Sequence, residues 1–153
     1  MTKGIEMKGE DLRNEIEKFQ EFVFEMDDVL ESFVKDVSSV GLKLDYSIES
    51  LDSLEEYIDQ KHSHNDEDIL LKNRSSRYLG EVFRKNLGGI WDLYTENPKD
   101  LHYLLPVIAK YSDIDLDFCP IAIISNYIKQ RKRGLLKRSV MADRDFLKKK
   151  LIP

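Results

Sequence analysis

A chain of 153 residues suits one domain, since domains commonly hold about 100–200 residues. With 41% apolar and 35% charged residues it has enough apolar matter for a core and a heavily charged surface, which excludes collagen-like and wholly disordered classes. A single cysteine, Cys119, excludes an internal disulfide framework and fits a reducing compartment. The segment Met1 to Glu6 lacks the apolar run of a secretory leader. The longest uninterrupted apolar stretch, Ile121 to Ile124, is four residues. A spanning helix needs about 20. The expectation is a cytoplasmic protein that does not enter a membrane.

The net charge of −5 conceals an asymmetry. Residues 1–70 hold 20 acids against 7 bases, residues 71–128 hold seven of each, and residues 129–153 hold 10 bases against 2 acids. A basic C-terminal end can reach out to nucleic acid, where phosphate neutralisation supplies affinity. It can also face the chain's own acidic half, or that of a second copy. The second reading needs no outside partner, fits an isoelectric point near 5.3, and is the first expectation.

In chain order, the strongest periodic signal comes first. Leu12, Ile16, Phe19, Val23, Met26, Leu30, Phe33, Val37 and Val40 alternate in steps of four and three, a heptad pattern with no Gly or Pro inside it. It predicts one long helix over about 10–40, stopped by Gly41. Phe22, Phe24, Val29 and Val34 widen the apolar surface beyond a two-strand seam. Burial in the chain's own core is the first use expected of it; sharing between two subunits is the second. Leu42 to Tyr46 alternates and predicts a short strand. Ser47 is a good N-cap for a helix over about 48–60, striped by Ile48, Leu51, Leu54 and Ile58.

After a polar loop, His62 to Asp68, a further helix is expected over about 75–87, with Gly80 marking close approach of a neighbouring backbone and Gly88 a left-handed stop. Ile90 to Tyr94 and Val107 to Tyr111 predict two strands that pair across a turn, Pro106 suiting a strand start. Pro120 opens a helix over about 120–132, ended by Gly134. The basic tail, 135–153, keeps Leu135, Leu136, Val140, Met141, Phe146 and Leu147 for short helical docking. The order predicts a single α+β domain: the N-terminal helix at 10–40, an α+β core at 42–134 with helices over a small, mostly antiparallel sheet, then the tail.

Three short pieces carry a resemblance. Leu44-Asp45-Tyr46-Ser47 with Ser50-Leu51, then Tyr78-Leu79-Gly80-Glu81-Val82, then Leu87-Gly88-Gly89-Ile90-Trp91 resemble a loose group of small bacterial proteins that pair an LDYS…SL helix start with a YLGEV…LGG.W helix-to-strand unit and a Pro-led later helix. The resemblance covers roughly 40–135. It implies a bacterial cytosolic α+β protein and brings no catalytic residues. By analogy, some small proteins of this style accompany toxins as immunity factors.

Each candidate for chemistry stands beside a plainer reading. Cys119 before Pro120 sits where a helix N-terminus could lower a thiol's pKa, but Phe118 and Ile121 flank it, so an inert buried thiol is expected. Asp113-Ile114-Asp115-Leu116-Asp117 begins like a calcium loop and fails where the loop needs Gly and Glu, which here are Phe118 and Ile124. His62 and His64 near Asp66, Glu67 and Asp68 lack the spacing of a helical zinc pair. No metal and no cofactor are expected. Tyr78, Glu81 and Arg84, one turn apart on a helix and followed by Trp91, could line a small binding pocket; a structural ion pair is the plainer reading. Lys129, Arg131, Lys132, Arg133, Lys137 and Arg138 form a basic patch without the interleaved aromatics that single-strand binders use. No phosphate-binding loop or nucleophile elbow is present.

The leading expectation is a non-enzymatic domain that works through protein–protein contacts, of immunity type or self-associating. A nucleic-acid accessory role for 129–150 and a small enzyme at the Tyr78, Glu81, Arg84, Trp91 pocket are the alternatives.

Overall fold

The heptad stripe forms helix over the expected span, interrupted once. In the computed structural model, which describes residues 9–61, 68–113 and 116–151, it gives α1 (Gly9–Phe24) and α2 (Met26–Ser38), with Glu25 as the single non-helical residue between them. Helical hydrogen bonds run into and out of Glu25, to Glu21 O and from Val29 N. At the same turn the Arg77 guanidinium donates to Phe22 O at 2.6 Å. A side-chain donor entering the carbonyl ladder is a known cause of helix interruption. Met26, Leu30, Phe33 and Val37 of α2 are buried, whereas α1 buries no residue.

The expected strand at Leu42 to Tyr46 does not form. The alternation is there, since Leu44 is buried and Lys43 and Asp45 are exposed, but among the described residues no strand pairs with it. The segment is instead pinned by side chains: Tyr46, at φ 66°, donates its amide to Tyr78 Oη at 2.8 Å and receives Asn86 Nδ2 on its carbonyl at 2.9 Å. Ser47 acts as the cap its type predicts, its Oγ accepting Ser50 N at 3.1 Å, although regular helix begins four residues on, in α3 (Leu51–Lys61).

Helix α4 (Ile69–Leu87) begins six residues before the expected 75. Its N-cap is Asp68, whose side chain accepts Leu71 N at 2.9 Å; the acid lies at the end of a run that reads as loop. Helix α4 is the axis of the molecule, in contact with α2, α3, α5 (Pro120–Gln130), α6 (Leu135–Leu151) and the sheet. Tyr78, Leu79, Val82 and Phe83 on it are fully buried. Gly80 lies under a close approach, but by the Trp91 indole and the Pro120 ring rather than by a backbone. Gly88 caps the helix at φ 98°, ψ −166°, outside the left-handed helical region expected of it.

Strands β1 (Ile90–Leu93), β2 (Pro106–Ala109) and β3 (Asp117–Phe118) form an antiparallel sheet in that order. Trp91 pairs with Ile108 and Ile108 with Phe118, so these three share the face turned to α4 and α5. Phe118 stacks on Phe83 at 4.2 Å between ring centroids. Strand β3 follows the alternating acidic segment, where the sequence predicts no strand. Helix α5 ends at Gln130 with Arg131 left-handed (φ 51°, ψ 36°); Gly134 lies at the start of α6 rather than at the stop of α5. The tail, expected to dock as short helix, is a regular 17-residue helix, with Leu136 and Val140 fully buried. The fold is α+β, helices packed on a small antiparallel sheet. The histidine loop, 62–67, and positions 114–115 of the calcium-like segment lie outside the described residues.

Candidate functional site

The three pieces that carry the resemblance meet around α4. Asp45 Oδ1 accepts both Ser47 N and Ser47 Oγ; Ser47 caps Ser50; Ser50 Oγ lies 2.6 Å from Tyr78 Oη. One turn further along α4, Gly80 makes room for the Trp91 indole, and Glu81 Oε2 accepts Trp91 Nε1 at 2.7 Å. Gly89, at φ 96° and packed against Ile108 and Ala109, leads the chain into the strand that carries Trp91. A residue with a side chain would be strained there in its backbone and would also strike the neighbouring strand.

Of the four expected pocket residues, the structure brings Glu81, Arg84 and Trp91 together and sends Tyr78 elsewhere. Glu81 is 4% exposed. Its Oε2 accepts Arg84 Nε at 2.8 Å as well as the indole, and its Oε1 accepts Arg84 Nη2 at 3.1 Å. Burial opposes the charge, but the Arg84 and Trp91 bonds outweigh it and hold the carboxyl below its usual range. The same bond raises the Arg84 pKa. A groove of about 390 Å³ lies alongside, lined in part by Val23, Asp27, Glu81, Arg84 and Trp91. A carboxylate already occupied by three donors, and held ionised, has little capacity as a general base. The trio is a staple that fixes β1 onto α4. Tyr78 Oη serves the 46–50 turn instead, and burial pushes its pKa up to about 12.

The basic patch is answered within the chain in part, at Arg131, Arg133 and Lys137. Asp59 of α3 lies 3.2 Å from Arg131 Nη1 and 3.9 Å from Arg133 Nε, and accepts the Tyr127 hydroxyl at 2.9 Å. Lys137 Nζ meets Asp52 Oδ2 at 2.9 Å. Arg138 Nη1 donates to Arg133 O at 3.3 Å, and Lys129 and Lys132 stand exposed. Under this face lies Glu55, 1% exposed, whose two oxygens accept Gly134 N at 2.8 Å and Leu136 N at 3.0 Å. A carboxylate of α3 thus caps the N-terminus of α6. Glu55 was legible as an acid four residues after Leu51 and three before Ile58, inside an apolar stripe; its destination was not.

Cys119 is 3% exposed, and burial pushes its thiol up to about 11, the opposite of activation. Among the described residues no group of three His, Cys, Asp or Glu is placed to hold a metal ion, and no helix is long and apolar enough to cross a membrane.

The remaining feature is α1. It buries no residue fully, though Leu12, Glu15, Phe19 and Phe22 are half-buried; at its C-terminal end the Phe22 ring packs edge-on to Trp91 at 5.2 Å and takes the Arg77 guanidinium on its face at 4.0 Å. Arg77, 4% exposed, also donates to Asn73 Oδ1 at 2.8 Å. Ile16 and Val23 remain about two-fifths open, at 39% and 40%, and Phe24 is 87% exposed. Arg77 carries no apolar-stripe or spacing signature in the sequence. Comparison with family models, with curated proteins and with solved structures gives no match to this chain.

Proposed function

We propose that this chain is a non-enzymatic protein–protein interaction domain of the bacterial cytosol, with α1 as its docking element. The observation that carries the reading is the split heptad: one continuous stripe is buried from Met26 onward and leaves no residue buried before it. Apolar side chains on an acidic helix, left partly open by their own chain at Ile16, Val23 and Phe24, suit a partner that supplies an apolar surface and positive charge. Burial then gives affinity, and charge sets partner choice and association rate. Immunity-type capture of a toxin and self-association are two forms of this role. The saturated Glu81 staple weakens the enzyme alternative. The acids facing Arg131, Arg133 and Lys137 weaken the nucleic-acid alternative.

The test is a photo-crosslinking residue at Phe24 in the producing cell, with a control at Lys99, also exposed. Phe24 is expected to yield a covalent adduct with another polypeptide and Lys99 none. No adduct at Phe24, or equal yields from both, removes the reading.

A further inference from the structure

We infer that the small pocket beside the C-terminal end of α1 binds a single-ring aromatic alcohol. Phe22 of α1, Trp91 of β1, Pro106 of β2, and Pro120 and Ile121 of α5 wall a pocket of about 130 Å³, and Asn73 and Ser76 of α4 line it as well. The site is separate from the open face of α1, since Ile16, Val23 and Phe24 are not among its walls.

Size sets the first limit. An apolar cavity of about 150 Å³ holds one benzene molecule, whereas drug-sized ligands take about 300 Å³ or more. One ring fits and two do not. The walls are fixed in advance. The Trp91 indole is tied to Glu81 Oε2 at 2.7 Å, and the Phe22 ring is held by that indole at 5.2 Å and by the Arg77 guanidinium at 4.0 Å. The two proline rings add walls with little freedom to lose. Such a pocket needs little ordering on binding.

Polarity sets the substituent. Asn73 Oδ1 accepts Arg77 Nε at 2.8 Å, which leaves Nδ2 as the free end of that amide among the described residues. Ser76 Oγ gives its proton to Asn73 O at 3.0 Å and keeps its lone pairs. Three residues apart on α4, the two side chains are neighbours. A single hydroxyl on the ring answers both, accepting from Asn73 Nδ2 and donating to Ser76 Oγ. Among the described residues no charged side chain lines the pocket, so the walls offer nothing to a phosphate or a carboxylate.

Titration of the isotope-labelled full chain with benzyl alcohol, followed by nuclear magnetic resonance, tests this. The chain has one tryptophan, so a single indole N–H signal reports on the wall. A saturable shift of that signal and of the Asn73 side-chain amide is expected, with a dissociation constant of about 1 mM or tighter. Toluene, the same ring without the hydroxyl, should bind about fivefold more weakly. 2-Naphthylmethanol, the same hydroxyl on two rings, should bind at least about tenfold more weakly. Ser76→Ala should weaken benzyl alcohol about fivefold and leave toluene unchanged. Ile121→Phe, which fills the pocket, should abolish the shift. No saturable shift in the wild type, or the same shift in Ile121→Phe, overturns the site. Equal affinity for toluene overturns the hydroxyl, and equal affinity for the naphthyl compound overturns the single ring. These three ligands decide on the wild-type chain alone where a variant fails to fold.

Discussion

Gly80 shows how a single hydrogen in place of a methyl group sets the position of a strand. Helix propensity alone favours Ala there by about 1 kcal/mol. A Cβ at that point meets the Trp91 ring carbons and the Pro120 ring. Forcing a packed indole aside costs about 1–3 kcal/mol, and losing its bond to an ionised Glu81 costs about 1.5–3 kcal/mol more. Packing wins: Gly80→Ala should destabilise by about 2 kcal/mol or more, and a shifted Trp91 emission spectrum in the folded variant should report the displaced indole. Glu81 brings a pH dependence with a definite sign. Its folded pKa lies below the ordinary 4.5, so on acidification the unfolded chain takes up the proton first. The stability it contributes is complete above that ordinary value and is lost as pH falls through the folded one. Denaturation midpoints of the wild type and Glu81→Gln should therefore differ at neutral pH and converge in acid. Cys119, buried and shifted upward, should react with a thiol reagent at neutral pH only once denaturant is present.

At the scale of elements, two helices contrast. Helix α6 owes its start to Glu55, which satisfies two amides that intrahelical bonding leaves unpaired. Removing the acceptor strands buried donors at about 1–3 kcal/mol each. Glu55→Ala should cost about 2–4 kcal/mol in chemical denaturation and speed amide exchange in the first turn of α6 above all. Lys137→Ala, which breaks a pair with an exposed acid, should cost under about 1 kcal/mol. Helix α1 is anchored at its C-terminal end by Phe22 and Arg77 and buries no residue before it. Its amides before Phe22 should exchange far faster than those of α2 in the isolated monomer, since little buried apolar contact opposes local opening.

The whole molecule folds its charge asymmetry onto itself in part. The acids of α3 face the bases between Arg131 and Lys137, so an isoelectric point near 5.3 coexists with a basic C-terminal segment. Retention on heparin should accordingly be weak for the wild type and rise in Asp52→Asn/Asp59→Asn, eluting at higher salt. A variant that elutes with the wild type would show that these acids do not mask the patch.

The sequence by itself determined what depends on near neighbours along the chain. The heptad predicted helix over about 10–40, where α1 and α2 lie, alternation and Pro106 placed the paired strands, and Ser47 marked the turn into α3. It also held the α+β class and the burial of Cys119 between apolar neighbours. The tertiary structure decided everything that needs a partner distant in sequence. Leu42 to Tyr46 alternates like a strand, but alternation cannot supply a neighbour to pair with. Asp68 could not be told from loop acids until Leu71 N lay against it. Spacing brings Glu81 and Trp91 together as candidates, yet whether they open a pocket or close a staple turns on hydrogen bonds of 2.7–3.1 Å. Periodicity reports that a face is apolar; only packing reports whether the chain covers it, which is why one stripe became core in α2 and surface in α1.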